Sequence, residues 1–424
     1  MDFAQWQQLA MVREDTKIVL LVIDGLGGVP HPEHKGKTEL EAANTPHLNQ
    51  LVQEGTCGLL DPVAPGITPG SGPGHLALFG YDPVQYFVGR GVPEALGSGF
   101  ELTPNDLAIR GNWCAVKMDP AEGREKITHR RAYRPPTEQC ARLCAQLDGQ
   151  EWEGVKIIVK PAKEHRFLLI LRGTGLSPEL TETDPQETGL PVPPAEALVP
   201  PAERTARLVN RFAKLARQQL DSEVVIRPDE DPDPAEHYHV LLRGYSKYPT
   251  WPTLPEIYGL RCAALATYPM YRGLAQLVGM SVLEVPEGKE LEAQLREQLT
   301  LLQRIWPNYD FFFFHVKAPD KAGEDGDFLA KKEAIEAVDV LIPEIKALQP
   351  QVLCVTGDHS TPSLLQKHSW HPVPVVLWGK YAGADAVSEF SERACAQGGL
   401  GRFRAVELMP QLLACAGRLE KFGA

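Results

Sequence analysis

The run Lys17-Ile18-Val19-Leu20-Leu21-Val22-Ile23, closed by Asp24-Gly25-Leu26-Gly27-Gly28, decides how this chain is read. An aliphatic, β-branched segment without polar alternation is expected of a central parallel strand covered by helices on both faces. A carboxylate at its carboxyl end, just before a glycine turn, stands where open α/β sheets hold ligands. A helix-capping Asp is the competing reading of the same residue. Two further segments have this texture. Tyr309-Asp310-Phe311-Phe312-Phe313-Phe314-His315-Val316 runs into Lys317-Ala318-Pro319-Asp320, and Val352-Leu353-Cys354-Val355-Thr356 runs into Gly357-Asp358-His359-Ser360-Thr361, with His368 nine residues after His359. Parallel strands present their carboxyl ends along one edge, so Asp24, Asp320, Asp358, His359 and His368 are expected to share one crevice.

Between the first strand and the others lies Ile67-Thr68-Pro69-Gly70-Ser71-Gly72-Pro73-Gly74-His75, followed by apolar Leu76-Ala77-Leu78-Phe79. Ser71 sits on permissive backbone at a predicted helix start, where amide groups can hold an anion. That suits a nucleophile acting on a phosphate. A Gly/Pro-rich loop that merely caps a helix is the other reading. His75 fits a core or capping role better than a place lining the cleft.

Composition sets bounds on function. The 424 residues, 43% apolar and 23% charged, exceed the size at which one core usually stays single, so two domains are expected of a globular, soluble chain. A net charge of −12 argues against a nucleic-acid or anionic-membrane surface. An anionic substrate must therefore meet a local basic pocket. The opening Met1-Asp2-Phe3-Ala4-Gln5-Trp6 lacks a basic or apolar leader pattern, and no apolar run has the length of a membrane span. The eight cysteines are scattered, Cys140 and Cys144 having helical spacing, which suits reduced thiols in a cytoplasmic protein.

From about Lys117 the texture changes to short alternating segments such as Val155-Lys156-Ile157-Ile158-Val159 and Arg166-Phe167-Leu168-Leu169-Ile170-Leu171. A Pro-rich stretch then leads to a helix over about 202–220. Residues 117–255 are read as a smaller α+β domain inserted into an α/β domain formed by 1–116 and 256–424. The acidic run Arg227-Pro228-Asp229-Glu230-Asp231-Pro232-Asp233-Pro234 is expected to be a solvated loop. The α/β pattern returns with Cys262-Ala263-Ala264-Leu265-Ala266, followed by Ser281-Val282-Leu283-Glu284-Val285, a helix over 290–303 and a helix over 331–348.

Clustered carboxylates repel unless neutralised, and a divalent ion is the usual remedy. Mixed Asp/His ligation suits Mn²⁺ or Zn²⁺, or Mg²⁺ with waters filling the shell, and two ions about 4 Å apart would hold both reacting oxygens of a phosphoryl group.

The residues Val22-Ile23-Asp24-Gly25, Thr68-Pro69-Gly70-Ser71, Gly80-Tyr81-Asp82-Pro83, Gly89-Arg90-Gly91 with Glu94-Ala95-Leu96-Gly97, Thr356-Gly357-Asp358-His359-Ser360-Thr361, and His368 with Pro372-Val373-Pro374 resemble the archaeal-type, cofactor-independent phosphoglycerate mutases of the alkaline phosphatase superfamily. Weaker likenesses inside the insert are Arg130-Arg131-Ala132, Glu164-His165-Arg166 and Thr183-Asp184-Pro185. The resemblance implies an alkaline-phosphatase-like, mostly parallel sheet sandwiched by helices. It also implies a reaction interconverting 3-phosphoglycerate and 2-phosphoglycerate through a phosphoserine at Ser71, with no need for 2,3-bisphosphoglycerate. One divalent ion is implied at Asp24, Ser71, Asp358 and His359, and another at Asp320, His368 and Glu324. The family usually has His where this chain has Glu324, a harder ligand that favours Mn²⁺ or Mg²⁺ over Zn²⁺. Ser71 is followed by Gly72 where the family commonly has Asp.

The implied substrate is a small phosphorylated carboxylic acid. Arg131, Arg134, His165 and Arg166 of the insert, with the flanking Arg90, Arg243 and Arg272, are the candidates for gripping it; singly, each fits a surface ion pair as well. His129 and His165 are both candidates for the general acid/base. A metal-dependent phosphohydrolase or another phosphomutase on the same scaffold is the alternative, and a binding protein built on a decayed site is a third reading.

Overall fold

The computed structural model describes residues 1–162, 164–227, 231–285 and 290–423. In chain order the strands are β1 (Ile18–Ile23), β2 (Thr56–Asp61), β3 (Asp106–Asp119), β4 (Arg124–His129), β5 (Gln150–Trp152), β6 (Val155–Pro161), β7 (Arg166–Arg172), β8 (Glu236–Lys247), β9 (Cys262–Leu265), β10 (Ser281–Val282), β11 (Phe311–Val316), β12 (Val352–Thr356), β13 (Val373–Gly379) and β14 (Gly401–Arg404). They fall into two compact units, Met1–Phe87 with Trp251–Ala424, and Val88–Thr250.

The first unit holds an eight-stranded sheet in the order β10-β9-β11-β1-β12-β13-β2-β14. Pairing is parallel from β10 through β12 and between β2 and β14; β13 runs antiparallel to both its neighbours. This is the mostly parallel α/β sheet expected. The three strands that carry the acids lie side by side, with Ile23 level with Val316 of β11 and Val22 level with Thr356 of β12. Every residue of β1 and β11 is buried, as it must be when helices cover both faces. On one face of the sheet Val19, Leu21 and Ile23 of β1 and Phe312, Phe314 and Val316 of β11 form one core with the helices Pro46–Glu54, Leu291–Ile305 and Phe328–Asp339. Each fully buried Leu, Val or Phe there contributes about 1.5–3 kcal/mol.

The helix expected over 331–348 is two helices, Phe328–Asp339 and Ile342–Ala347. Pro343 explains the break, because its ring and missing N–H are tolerated in a first turn and not mid-helix. Within the apolar stretch 281–285 only Ser281 and Val282 pair as a strand. Among the described residues no helix is long and apolar enough to cross a membrane.

The second unit is built on an antiparallel sheet, β4-β3-β7-β6-β5, with β8 also pairing to β3. The helices Thr137–Leu147 and Glu203–Gln219 pack Leu143, Leu147, Val209 and Phe212 onto Trp113, Phe167 and Leu169 of the sheet, an α+β arrangement. Its boundary differs from the expected 117, which falls inside β3. That strand is continuous over 14 residues, and its amino-terminal half is held by β7 and β8. Of the acidic run 227–234, residues 228–230 lie outside the described residues.

Candidate functional site

In the first unit the chain leaves β1 at Asp24 and turns through Gly25, whose φ of +67° favours glycine. A Cβ there would lie 2.8 Å from the Asp320 Cα and from the Thr361 hydroxyl, so the residue must be small on both counts. Gly25 N–H donates to Asp358 Oδ1 at 3.3 Å, tying the exits of β1 and β12 together. Asp320 stands in the first turn of the helix Ala318–Glu324 beyond β11. Ser71 is the first residue of the helix Ser71–Leu78, preceded by Gly70 in extended conformation.

These elements bring the predicted residues together. Asp24, Asp320, Asp358 and His359 are fully buried, and Ser71 nearly so. His359 Nε2 lies 3.3 Å from Asp24 Oδ1, 3.2 Å from Asp358 Oδ2 and 3.4 Å from Ser71 Oγ. The His368 ring stacks on that of His359 at 3.7 Å. His368 Nδ1 is 3.0 Å from the Pro69 carbonyl, which only accepts. That nitrogen therefore carries a proton, and Nε2 faces Asp320 Oδ1 at 3.6 Å and Glu324 Oε1 at 3.8 Å. Two groups have donor atoms close enough for one cation each: Asp24 with Asp358 and His359, and Asp320 with His359 and His368. His359 thus reaches both. Glu324, half exposed, adjoins the second group through His368.

The electrostatics are those of crowded acids. Burial pushes Asp358 up to about 6, helped by the charge of Asp24 and opposed by His75. Burial also raises Asp24, but the Lys317 ammonium and the adjacent His315 outweigh it and hold Asp24 well below the usual carboxylate range. Both oxygens of Asp24 and Oδ2 of Asp358 are buried without a hydrogen-bond partner among the described residues.

Sequence reasoning gave Lys317 no role. Its ammonium lies 3.2 Å from Asp24 Oδ2 and 3.0 Å from the Tyr271 hydroxyl and pairs with Asp320, bridging the two acids. The available signal was its place, directly after a buried strand. His75 does act as a brace: it is buried, its Nδ1–H donates to the Ser71 carbonyl at 2.8 Å, and the same nitrogen is 3.1 Å from Asp358 Oδ2.

The second unit contains a cavity of about 200 Å³ lined by Arg110, Asn112, Arg130, Arg131, His165, Arg166, Gln186 and Arg243. Sheet register assembles it. Arg110 and Asn112 share one face of β3, Arg243 of β8 sits opposite Arg110, and Arg166 of β7 sits opposite Asn112. Arg130 makes a two-point pair with Asp184 at 2.8 and 3.0 Å, and Arg243 Nη1 is 3.5 Å from the same carboxylate. Burial and the charges of Arg110 and Arg90 press Arg243 down to about 10. Burial and four surrounding arginines press His165 down to about 3, so its ring is neutral. A site that strains its own cations in this way favours an anion.

Of the predicted binding residues, Arg131, His165, Arg166 and Arg243 line this cavity. The charges of Arg90 and Arg134 act on Arg243 and His165. Arg272 stands on the helix Pro269–Leu277 of the first unit. Arg110 and Arg130 were missed as binding candidates; the spacing of Arg110 and Asn112 in a strand was the signal. His129 accepts the Arg131 and Tyr133 backbone N–H groups at Nδ1, each at 3.1 Å, which braces a turn.

A family model described as 2,3-bisphosphoglycerate-independent phosphoglycerate mutase matches residues 52–225. A Thermus thermophilus protein named a probable member is 52% identical over 412 residues, covering 96% of each chain. One from Aquifex aeolicus with the same name is 44% identical over 418 residues, covering 97% of this chain and 98% of the other. Among solved structures, a Pyrococcus horikoshii protein superposes with a TM-score of 0.79 at 29% identity, covering 96% of this chain and 99% of that one. The cofactor-independent phosphoglycerate mutase of Thermoplasma acidophilum does so with 0.66 at 28%, covering 95% and 100%. With identity above half along nearly its whole length, this chain belongs to the 2,3-bisphosphoglycerate-independent phosphoglycerate mutase family.

Proposed function

We propose that the chain interconverts 3-phosphoglycerate and 2-phosphoglycerate through a phosphoserine at Ser71, without added 2,3-bisphosphoglycerate. The observation that carries this is the Ser71 hydroxyl, held at a helix start 3.4 Å from His359 Nε2 and backed by buried carboxylates. In the forward direction Ser71 Oγ gives up its proton and attacks phosphorus, the Oγ–P bond forms, and the bond from phosphorus to the 3-oxygen breaks. The glycerate 3-oxygen takes up a proton; the 2-hydroxyl, losing its own, then attacks the phosphoserine, the 2-oxygen–P bond forms, the Oγ–P bond breaks, and Ser71 Oγ regains a proton. Within the second unit, Arg131, Arg166 and Arg243 beside Arg110 and Arg130 form a basic cavity suited to an anionic group.

The residues fit divalent ions. Crowded buried carboxylates beside imidazole nitrogens, with Asp24 Oδ1 lacking a hydrogen-bond partner among the described residues, form a donor set that suits cations. Asp24, Ser71, Asp358 and His359 would hold one, and Asp320, His368 and Glu324 the other, with His359 in reach of both. Divalent ions there supply Lewis acidity toward the phosphoryl group and the serine hydroxyl. Glu324 makes Mn²⁺ or Mg²⁺ the favoured ions in this reading. A cytoplasmic setting in glycolysis or gluconeogenesis belongs to the same proposal and is supported by eight free cysteines.

Phosphorus NMR of the purified chain with Mn²⁺ and 3-phosphoglycerate tests it. The expected product is 2-phosphoglycerate with little inorganic phosphate, and Ser71→Ala abolishes turnover while leaving the fold intact. Inorganic phosphate as the sole product would make the chain a hydrolase; near-normal turnover in Ser71→Ala would remove the covalent route.

A further inference from the structure

Thr361 is fully buried and has no part in the reaction described above. Its hydroxyl lies 2.5 Å from Asp320 Oδ1 and 3.0 Å from His359 Nδ1, so one side chain joins a residue of each carboxylate–imidazole group. Its backbone is fixed from several directions. The carbonyl accepts the Lys331 ammonium at 2.8 Å, and the Thr361 N–H donates to the Gly27 carbonyl at 3.1 Å. Lys331, itself fully buried, also donates to the Gly27 carbonyl at 3.0 Å. A Cβ on Gly323 would lie 2.2 Å from the Thr361 carbonyl oxygen, and one on Gly25 would lie 2.8 Å from its hydroxyl. The sequence keeps both neighbours bare around this one threonine.

Proton counting gives the consequence. A threonine hydroxyl has one proton to donate, and the carboxylate of Asp320, facing the Lys317 ammonium, only accepts. Two oxygens at 2.5 Å require that proton between them, at the length of a charge-assisted O–H···O⁻ bond. The hydroxyl therefore has none for His359 and must accept from Nδ1–H. His359 Nε2 is left as a bare lone pair pointing at Asp24, Asp358 and Ser71. With the other tautomer, Nδ1 would meet an oxygen lone pair.

We propose that Thr361 is a positioning residue that sets the tautomer of His359 and fixes Asp320 with the same hydroxyl, thereby preparing both groups to bind cations. Its metal-affinity part rests on the divalent-ion reading above; its tautomer part does not. The test uses the full-length chain labelled with ¹⁵N-histidine, with Mg²⁺ and after EDTA, the His359 signals being assigned by their absence in His359→Gln. The expected spectrum shows a protonated Nδ1 and an unprotonated Nε2, with the Nδ1–H signal lost in Thr361→Val. A protonated Nε2 with a bare Nδ1 in the wild-type chain would overturn the proposal, and so would an unchanged spectrum in Thr361→Val. In parallel, Mn²⁺ titration followed by EPR should show binding roughly 10- to 100-fold weaker in Thr361→Val and near wild type in Thr361→Ser. Equal Mn²⁺ affinity in wild type and Thr361→Val would also overturn it. A wild-type chain that binds no Mn²⁺ would refute the divalent-ion reading, and with it the affinity part of this proposal, while the tautomer spectrum would still decide the rest. If Thr361→Val fails to fold, the wild-type spectrum and Thr361→Ser remain decisive.

Discussion

Replacing Gly74 by Ala should damage catalysis without unfolding the chain. Gly74 lies one turn after Ser71 in the same helix, and an added Cβ would sit 2.4 Å from the Asp358 carbonyl oxygen. Ordinary contact begins near 3.4 Å, so the helix and the Asp358 loop must separate by 3.4 − 2.4 = 1.0 Å. One of these segments carries Ser71, the proposed nucleophile, and the other the carboxylate of Asp358. A misplacement of about 1 Å costs on the order of 100-fold in rate, or about 2.7 kcal/mol of barrier. Alanine in place of glycine within a helix favours folding by up to about 1 kcal/mol, which offsets part of the packing cost. The expected outcome is a kcat for 3-phosphoglycerate lowered about 100-fold, with a thermal midpoint within a few degrees of wild type. Gly72→Ala is the control: its Cβ would meet nothing within 4 Å, although it adjoins Ser71. Turnover in Gly74→Ala within threefold of wild type would refute the argument that this contact sets the position of Ser71.

Three further outcomes follow from the two sites. Arg243→Met should raise KM for 3-phosphoglycerate about 10-fold or more, the worth of a charge-assisted hydrogen bond, with a smaller change in kcat; steady-state kinetics showing the loss only in kcat would argue against a binding role. Glu324→His should shift relative affinity from Mn²⁺ toward Zn²⁺ in competition calorimetry, and an unchanged ratio would remove Glu324 from the ligand set. His165 is neutral in the folded chain down to about 3, whereas an unfolded histidine takes its proton near 6.5. Between those values the unfolded state holds more protons, so stability rises with pH by up to about 1.4 kcal/mol per unit from this residue, and is lost as pH falls from about 6.5 toward 3. Urea midpoints measured across that range should flatten in His165→Gln; an identical slope would contradict the burial of a neutral ring.

The sheet edge was legible because buried parallel strands announce themselves as unbroken apolar runs and their carboxyl ends must align. Asp24, Asp358 and His359 followed directly from β1 and β12. Lys317 was not legible in the same way, since a lysine after a strand reads as a solvated charge until Asp24 and Asp320 are known to flank it. Thr361 escaped for a related reason: a hydroxyl shared between two side chains is a fact of three dimensions, whereas the sequence shows only a threonine in a loop. The basic cavity was half legible. Arg131, His165, Arg166 and Arg243 stood out in an acidic chain, but Arg110 did not, since it joins Arg243 only through the pairing of β3 with β8. The domain edge was placed late because the long strand β3 carries no compositional break where the second unit begins.

The register of β3 also limits how the cavity is able to diversify. Leu107, Ile109, Trp113 and Ala115 on one face pack into the core while Arg110 and Asn112 on the other line the cavity. Deleting a single residue early in β3 would exchange the two faces beyond that point, sending a guanidinium toward Phe167 and an indole into the anion site. Length variation in this strand would thus destroy recognition and folding in a single step, so descendants of the chain have access to new ligands there only by exchanging side chains in place, with insertions and deletions confined to the connecting loops.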